Sequence, residues 1–401
     1  MSKSPRLELP SGQNFTCQGS TRCCRMLDVP LLPAELARYA GEDWKEKPIA
    51  RTLGGAPHTP LVRSGACAFL SEEGRCRIHE RLGACGKPLT CRIFPYTFAF
   101  CGPTVRVGVR FSCPTILANK GEPVVRQEDL VRGMAQAYRQ AKRIEPLPRA
   151  PFHLSYELSW KDIDRIDEAL LSSLEDGALP LSGRLIEGAE LLDEMKYVYI
   201  YGSPEEVARG IDGAAVRRRV LEALATPPPR LGLADRAVLA AFLAYLAPPG
   251  RGRSAPVRLA LRLAARLPGR LRLDEIGRVS RRKARKVSAE LDQESTALLV
   301  RYYKARIWGR THFGRAFHGL SYVAGWNFLL AAHACLVFAA RARAATLGRP
   351  RIEIADVELA IQKVEERLYS SNLPAGSWGK ILSFLLTTGG TGKRLALRFA
   401  R

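Results

Sequence analysis

Beyond residue 113 this chain of 401 residues has a single cysteine, Cys335. Other features are missing as well. The opening residues, MSKSPRLELPSGQ, carry no apolar core of a secretion signal. A reducing, cytoplasmic setting is therefore expected, and a disulfide framework is not. No regular repeat and no nucleophile motif is found. No glycine-rich turn follows a strand pattern with an acidic residue about 20 positions on, the arrangement that marks dinucleotide sites and common methyl-donor folds. Leu53-Gly54-Gly55 lies in a proline-rich stretch instead. Gly389-Gly390-Thr391-Gly392-Lys393-Arg394 suggests a phosphate-binding loop. However, Thr387 stands where its first glycine belongs, and Arg394 where a Ser or Thr must hold magnesium. It reads as a short loop between helices.

One run, Leu320 to Ala340, is long and apolar enough to span a bilayer. It contains Ser321, Asn327 and His333, and Arg341 and Arg343 follow. A buried core helix is expected rather than a membrane span, with His333 and Cys335 as packing residues. Acidic residues are also scarce, leaving a net charge of +23. From Arg209 to Lys286 there are 19 Lys+Arg against 5 Asp+Glu. Such a surface suits an acidic partner: an acidic protein, nucleic acid or anionic lipid. Aromatic residues are sparse there, with Phe242 and Tyr245 nearly alone. Stacking on bases, and with it nucleic-acid binding, is not supported.

What the chain does have is nine cysteines before residue 114. They fall into clusters: Cys17 with the pair Cys23-Cys24, Cys67 with Cys76, Cys91 within Lys87-Pro88-Leu89-Thr90-Cys91-Arg92-Ile93-Phe94-Pro95, and Cys113 in Ser112-Cys113-Pro114. Clustered thiols in a reducing compartment read as metal ligands or redox groups. Thiolate is the ligand that iron–sulfur clusters and zinc favour. Neighbouring glycines and prolines suit tight turns that aim several sulfurs at one point. His79, three residues after Cys76, has the spacing to complete a zinc site, but a solvent-facing histidine is the simpler reading. Arg92 beside Cys91 would offset thiolate charge or be an ordinary surface residue. Glu72, Glu73 and Glu80 read as solvated.

Residues 94–112 separate the late cysteines. Val105, Val107, Val109 and Phe111 alternate with Arg106, Gly108 and Arg110, and Gly102-Pro103 breaks the run. This predicts a hairpin turning at 102–103, with Cys101 opposite Thr104. Cys91 and Cys113 then meet at its open end. Cys101 lies at the tip, roughly 30 Å from Cys91 at about 3.3 Å per residue, and should not share a site with it. The candidate ligands are Cys17, Cys23, Cys24, Cys67, Cys76, Cys91 and Cys113. Cys85 is left undecided. Seven thiols exceed the four that one cluster or zinc ion needs, so one site or two are both open.

The expected fold is mainly α. A small loop-rich cysteine metal domain with a β-hairpin, residues 1–122, precedes a large all-helical domain, residues 123–401, of one lobe or two. Leu32 to Glu35 open a short helix that Gly41 can close. Residues 44–65 read as an irregular connection. Helical periodicity then recurs in Leu130–Ala141, Tyr156–Leu174, Leu185–Met195, Val216–Leu224, Ala234–Leu246, Val257–Leu267, Ser288–Ile307, Leu320–Ala345, Ile354–Leu368 and Trp378–Leu386.

The ordered series Phe15-Thr16-Cys17, Cys23-Cys24, Cys67-Ala68-Phe69-Leu70, Cys76-Arg77-Ile78-His79, Lys87-Pro88, Cys91-Arg92-Ile93-Phe94-Pro95 and Ser112-Cys113-Pro114 resembles the YkgJ-type cysteine-cluster family of zinc- or iron-chelating domains. Members of that family similar to flagellin lysine-N-methylase join this domain to a long helical part. The resemblance covers about residues 15–117. Beyond them only Leu298–Phe313 looks similar. It implies an iron–sulfur cluster of the 4Fe-4S kind or zinc, S-adenosylmethionine as methyl donor, and lysines of a protein such as flagellin as substrate. Two readings stay open: a protein lysine N-methyltransferase, or a non-catalytic protein whose metal is structural or redox-sensing. The sequence departs from the family's pattern in having no cysteine between Gly19 and Arg22, and in carrying Cys85 and Cys101 as extras.

Overall fold

The computed structural model describes residues 5–25, 29–42, 44, 50–51, 57–59, 65–202, 210–247, 270–371 and 373–399. Among them the protein is mainly α, with fifteen helices and four small sheets. The chain forms two compact units, Met1–Leu147 and Pro148–Arg401. The first contains β1 (Arg6–Glu8), β2 (Val29–Pro30), α1 (Pro33–Ala40), β3 (Ala50–Arg51), β4 (Pro57–Thr59), α2 (Arg77–Gly86), α3 (Leu89–Ile93), β5 (Tyr96–Cys101), β6 (Thr104–Val109), α4 (Pro114–Leu117) and α5 (Glu128–Lys142).

The hairpin β5–β6 has the expected register: Cys101 pairs with Thr104 and Tyr96 with Val109. Gly102 takes the positive φ that the turn requires. Both faces of β6 are covered, so Val105, Val107 and Val109 are buried together with Arg106. β1 runs parallel to β6, completing a three-stranded sheet, and Glu8 forms an ion pair with Arg106. Part of the stretch expected to be irregular is ordered as strand, with β4 pairing β2 on one side and β3 on the other. Strands of two or three residues are too short to display a period. α1 begins with Pro33 and ends at Gly41 as expected. α5 belongs to the first unit, and α3 packs against it.

The second unit contains β7 (Ala150–His153), β8 (Tyr156–Leu158), α6 (Trp160–Glu175), α7 (Leu181–Tyr201), α8 (Gly213–Ala225), α9 (Leu233–Tyr245), β9 (Arg270–Leu273), β10 (Gly277–Ser280), α10 (Arg281–Lys286), α11 (Gln293–Trp308), α12 (Tyr322–Thr346), α13 (Ile354–Val364), α14 (Gly376–Thr388) and α15 (Thr391–Phe399). Tyr156–Leu158 is strand rather than the start of α6. Leu154, at positive φ, turns β7 into β8, and the Ser159 side chain caps α6 by accepting from the Asp162 N–H. The helix expected over Val257–Leu267 lies outside the described residues. Gly389-Gly390 joins α14 to α15, and Thr391 to Arg394 lie in the first turns of α15.

α12 is the one described helix long and apolar enough to cross a membrane, and its apolar window is entirely buried inside the protein. It is sheathed by α7, α9, α10, α13, α14 and α15. Its Phe, Leu and Val side chains each contribute about 1.5–3 kcal/mol by leaving water. The fit is close: a methyl group added at Gly188 of α7 would stand 2.3 Å from the Trp326 ring of α12. His333 is a core residue, bonded to Ser182 Oγ through Nε2 at 2.9 Å and to the Tyr303 hydroxyl through Nδ1 at 2.8 Å. Cys335 is fully buried beside it on the helix.

Candidate metal centre

Cys23 and Cys24 lie on a single 3-10 turn, Arg22–Arg25. Thr21 enters that turn at positive φ, and its carbonyl accepts from the Cys24 N–H. The Cys24 carbonyl in turn accepts from the Cys67 N–H at 2.7 Å, which ties the first cysteine cluster to the second. A tight turn over 71–75, with Gly74 at positive φ, then returns the chain so that Leu70 bridges to Cys76. Cys76 immediately precedes α2. Cys67 and Cys76 pack against the small apolar cluster of Leu31, Tyr39, Phe69 and Ile78.

Cys91 sits on α3, which is anchored from α1. The Glu35 carboxylate accepts from the Leu32 N–H at 2.8 Å and the Leu89 N–H at 2.6 Å, and the Tyr39 hydroxyl donates to the Gly86 carbonyl at 2.6 Å. Cys113 follows the hairpin and precedes α4, its N–H donating to the Arg110 carbonyl. Glu35 was not recognised from the sequence as part of this framework. An acidic residue in a helix's first turn was the visible signal, but its second partner is 54 residues away.

Electrostatics shows which thiols are neighbours. Cys23 and Cys24 sulfurs are 3.9 Å apart. The Cys24 hydrogen bond lowers Cys23 to about 7, burial opposes this, and the positive charge of Lys87 helps it. Cys24, holding the proton for Cys23, is raised, first by that bond, then by burial, then by the charges of Cys23, Cys67 and Cys76. Cys91 is raised to about 12 by crowding of protein around it and by Cys23, Cys67 and Cys76, with Lys87 opposing. Cys113 is raised by burial and, more weakly, by Cys23.

Cys23, Cys24, Cys67, Cys76 and Cys91 are thus brought together, with Cys113 within reach of Cys23. Cys17 is exposed and is not among the main charges acting on them. Cys85 is exposed on α2. Cys101 is buried at the hairpin tip, its thiol donating to the Ala99 carbonyl. His79 faces solvent. Among the described residues, no three His, Cys, Asp or Glu side chains already converge on one metal-binding point. The thiols are neighbours rather than a closed coordination shell.

The donor set fits a soft metal centre: five sulfurs, no nearby carboxylate among the groups that perturb Cys24 or Cys91, and one lysine to offset thiolate charge. Arg92 adds a buried Nε without a hydrogen-bond partner. Lys87 was visible in the sequence only as part of a motif, and its role follows from its position. Residues 16–116 match the family model CxxCxxCC, described as a putative zinc- or iron-chelating domain, which supports the cysteine-cluster resemblance over that quarter of the chain. No curated protein and no solved structure matches the chain.

Proposed function

We propose that the protein carries an iron–sulfur cluster of the 4Fe-4S kind on thiolates drawn from Cys23, Cys24, Cys67, Cys76 and Cys91, in a cytoplasmic setting. The observation that carries this reading is the way the chain gathers the thiols: the Cys23 and Cys24 sulfurs are 3.9 Å apart, the Cys24 carbonyl accepts from the Cys67 N–H, Cys67 and Cys76 share one apolar cluster, and the charges of Cys23, Cys67 and Cys76 act on Cys91. A thiolate-only, oxygen-poor donor set suits iron–sulfur clusters and zinc. Five neighbouring sulfurs exceed the four that either a cluster or a single tetrahedral ion needs, and the choice of a cluster rests on the family resemblance over residues 15–117. Protein purified without oxygen is expected to be brown, to absorb near the blue end of the visible range, and to contain iron and acid-labile sulfide. Colourless protein with stoichiometric zinc would overturn the cluster and leave the metal-chelating domain standing.

The activity we infer is protein lysine N-methylation with S-adenosylmethionine as donor and a protein such as flagellin as substrate. Its support is the resemblance over residues 15–117 and 298–313. Calorimetry with S-adenosylmethionine tests it: saturable heat is expected, and none at high concentration would refute it. The non-catalytic reading, in which the metal serves folding or redox sensing, has an observation of its own. The apolar cluster beside Cys67 and Cys76 is small, and a structural metal contributes folding free energy directly.

A further inference from the structure

The second unit pairs its buried cations with carboxylates. Arg306 meets Glu365, Arg310 meets Asp167, and Lys363 meets Glu366. Elsewhere in the unit several arginines line one cavity. A cavity of about 210 Å³ is lined by Arg285 of α10, Arg341 of α12 and Arg398 of α15, with Phe338 and Phe399 as apolar walls and, among the described residues, no acidic residue in the lining.

Arg341 is rigidly placed. It is nearly buried, and the carbonyls of Ala284 and Arg285, at the end of α10, accept from its Nε at 3.2 Å and its Nη2 at 2.7 Å. Burial and the charge of Arg285 both act against its guanidinium, and the same two causes act on Arg281. Among the described residues, no carboxylate forms an ion pair with Arg285 or Arg398. The two rings meet edge to face, with centroids 6.1 Å apart. Arginine forks recognise planar oxyanions, bidentately where geometry allows, and a binding pocket typically combines apolar walls with a few convergent polar groups. Size limits the ligand: an apolar cavity of about 150 Å³ accommodates benzene, so about 210 Å³ takes one ring and an oxyanion head.

We propose that this cavity binds a small organic oxyanion, a phosphate or carboxylate head on an aromatic or short apolar body. It draws part of the basic excess of Arg209–Lys286 into a defined site. It rests on neither the metal centre nor the methyl-transfer reading. The test is isothermal calorimetry on the full-length protein with phenyl phosphate, benzoate and inorganic phosphate. Saturable binding of phenyl phosphate or benzoate is expected, and the better of the two identifies the head. Arg285→Gln and Arg398→Gln alter side chains outside the core and should each weaken that binding at least tenfold, with the circular dichroism spectrum unchanged. Three results would overturn the proposal: no heat from either organic probe at millimolar concentration, unchanged affinity in both variants, or inorganic phosphate binding as tightly as phenyl phosphate.

Discussion

The two units hold themselves together by different means. In the second, an apolar helix is buried on every side, and the His333 that goes in with it is bonded to Ser182 and Tyr303. In the first, the residues around Cys67 and Cys76 rest on a small cluster of buried apolar side chains, Leu31, Tyr39, Phe69 and Ile78, with a carboxylate that staples α1 to α3 and thiols that sit half-buried or exposed. A region with so little apolar burial needs another source of stability, and adjacent thiolates repel until a cation is shared among them. On the function proposed above, the cysteine region gains stability on binding a metal.

The largest expected effect separates the two directly. Structural metal in small domains contributes about 10–16 kcal/mol of apparent binding free energy. Stripping metal with a strong chelator should therefore open the cysteine region while the second unit keeps its helices. Limited proteolysis with mass analysis should give early cuts before residue 117 and a persistent fragment beginning near residue 148. Simultaneous loss of both would break the comparison.

Within the helical unit, Arg306→Met should cost about 3–5 kcal/mol, because Glu365 is left buried and unpaired. Arg306 and Glu365 are 2.6 Å apart at 6 % and 4 % side-chain exposure, and Arg306 also lies over the Tyr369 ring. Thermal unfolding checks this, and a shift of only a degree or two would show that the pair is not buried in solution.

Acid should weaken the same unit. Burial lowers His333 to about 4, whereas an unfolded histidine protonates near pH 6.5. The unfolded chain thus binds the proton first, and stability falls as pH drops from about 6.5 to about 4, by about 3 kcal/mol for this group. His312, lowered by burial to about 3, acts in the same direction. Denaturant midpoints measured across that range should decline and decline less in His333→Gln; a flat profile would contradict the burial. The smallest effect belongs to the staple. Glu35→Ala leaves the Leu32 and Leu89 N–H groups without their acceptor, at a cost of about 1–3 kcal/mol. Its metal should exchange faster with a competing chelator, and wild-type exchange would remove the staple from the account.

Much of this was legible from residue pattern. Alternation at 105–111 and the Gly102-Pro103 break were enough to set the hairpin register and to place Cys101 at its tip. Ser321, Asn327, His333 and the following arginines marked the long apolar run as a core helix, and it is one. What stayed hidden were features with no period. β1 spans three residues and finds its partner about 98 positions on, and the strands within residues 50–59 are shorter than a pleat can reveal. Neither the Glu35–Leu89 bond nor the convergence of Arg285, Arg341 and Arg398 has any local signature, because each unites elements distant in the chain. In the site, the spacing of cysteines announced metal chemistry but not which thiols are neighbours. That required the turn at Arg22–Arg25 and its bond to Cys67.

The central claim is that Cys23, Cys24, Cys67, Cys76 and Cys91 serve one metal centre from which Cys101 is excluded. Metal and sulfide content per chain, measured side by side for the unaltered protein, Cys91→Ser and Cys101→Ser purified without oxygen, tests it most directly. Cys101→Ser is expected to match the unaltered protein while Cys91→Ser loses most of its metal; equal loss from both, or full retention by both, would contradict the account.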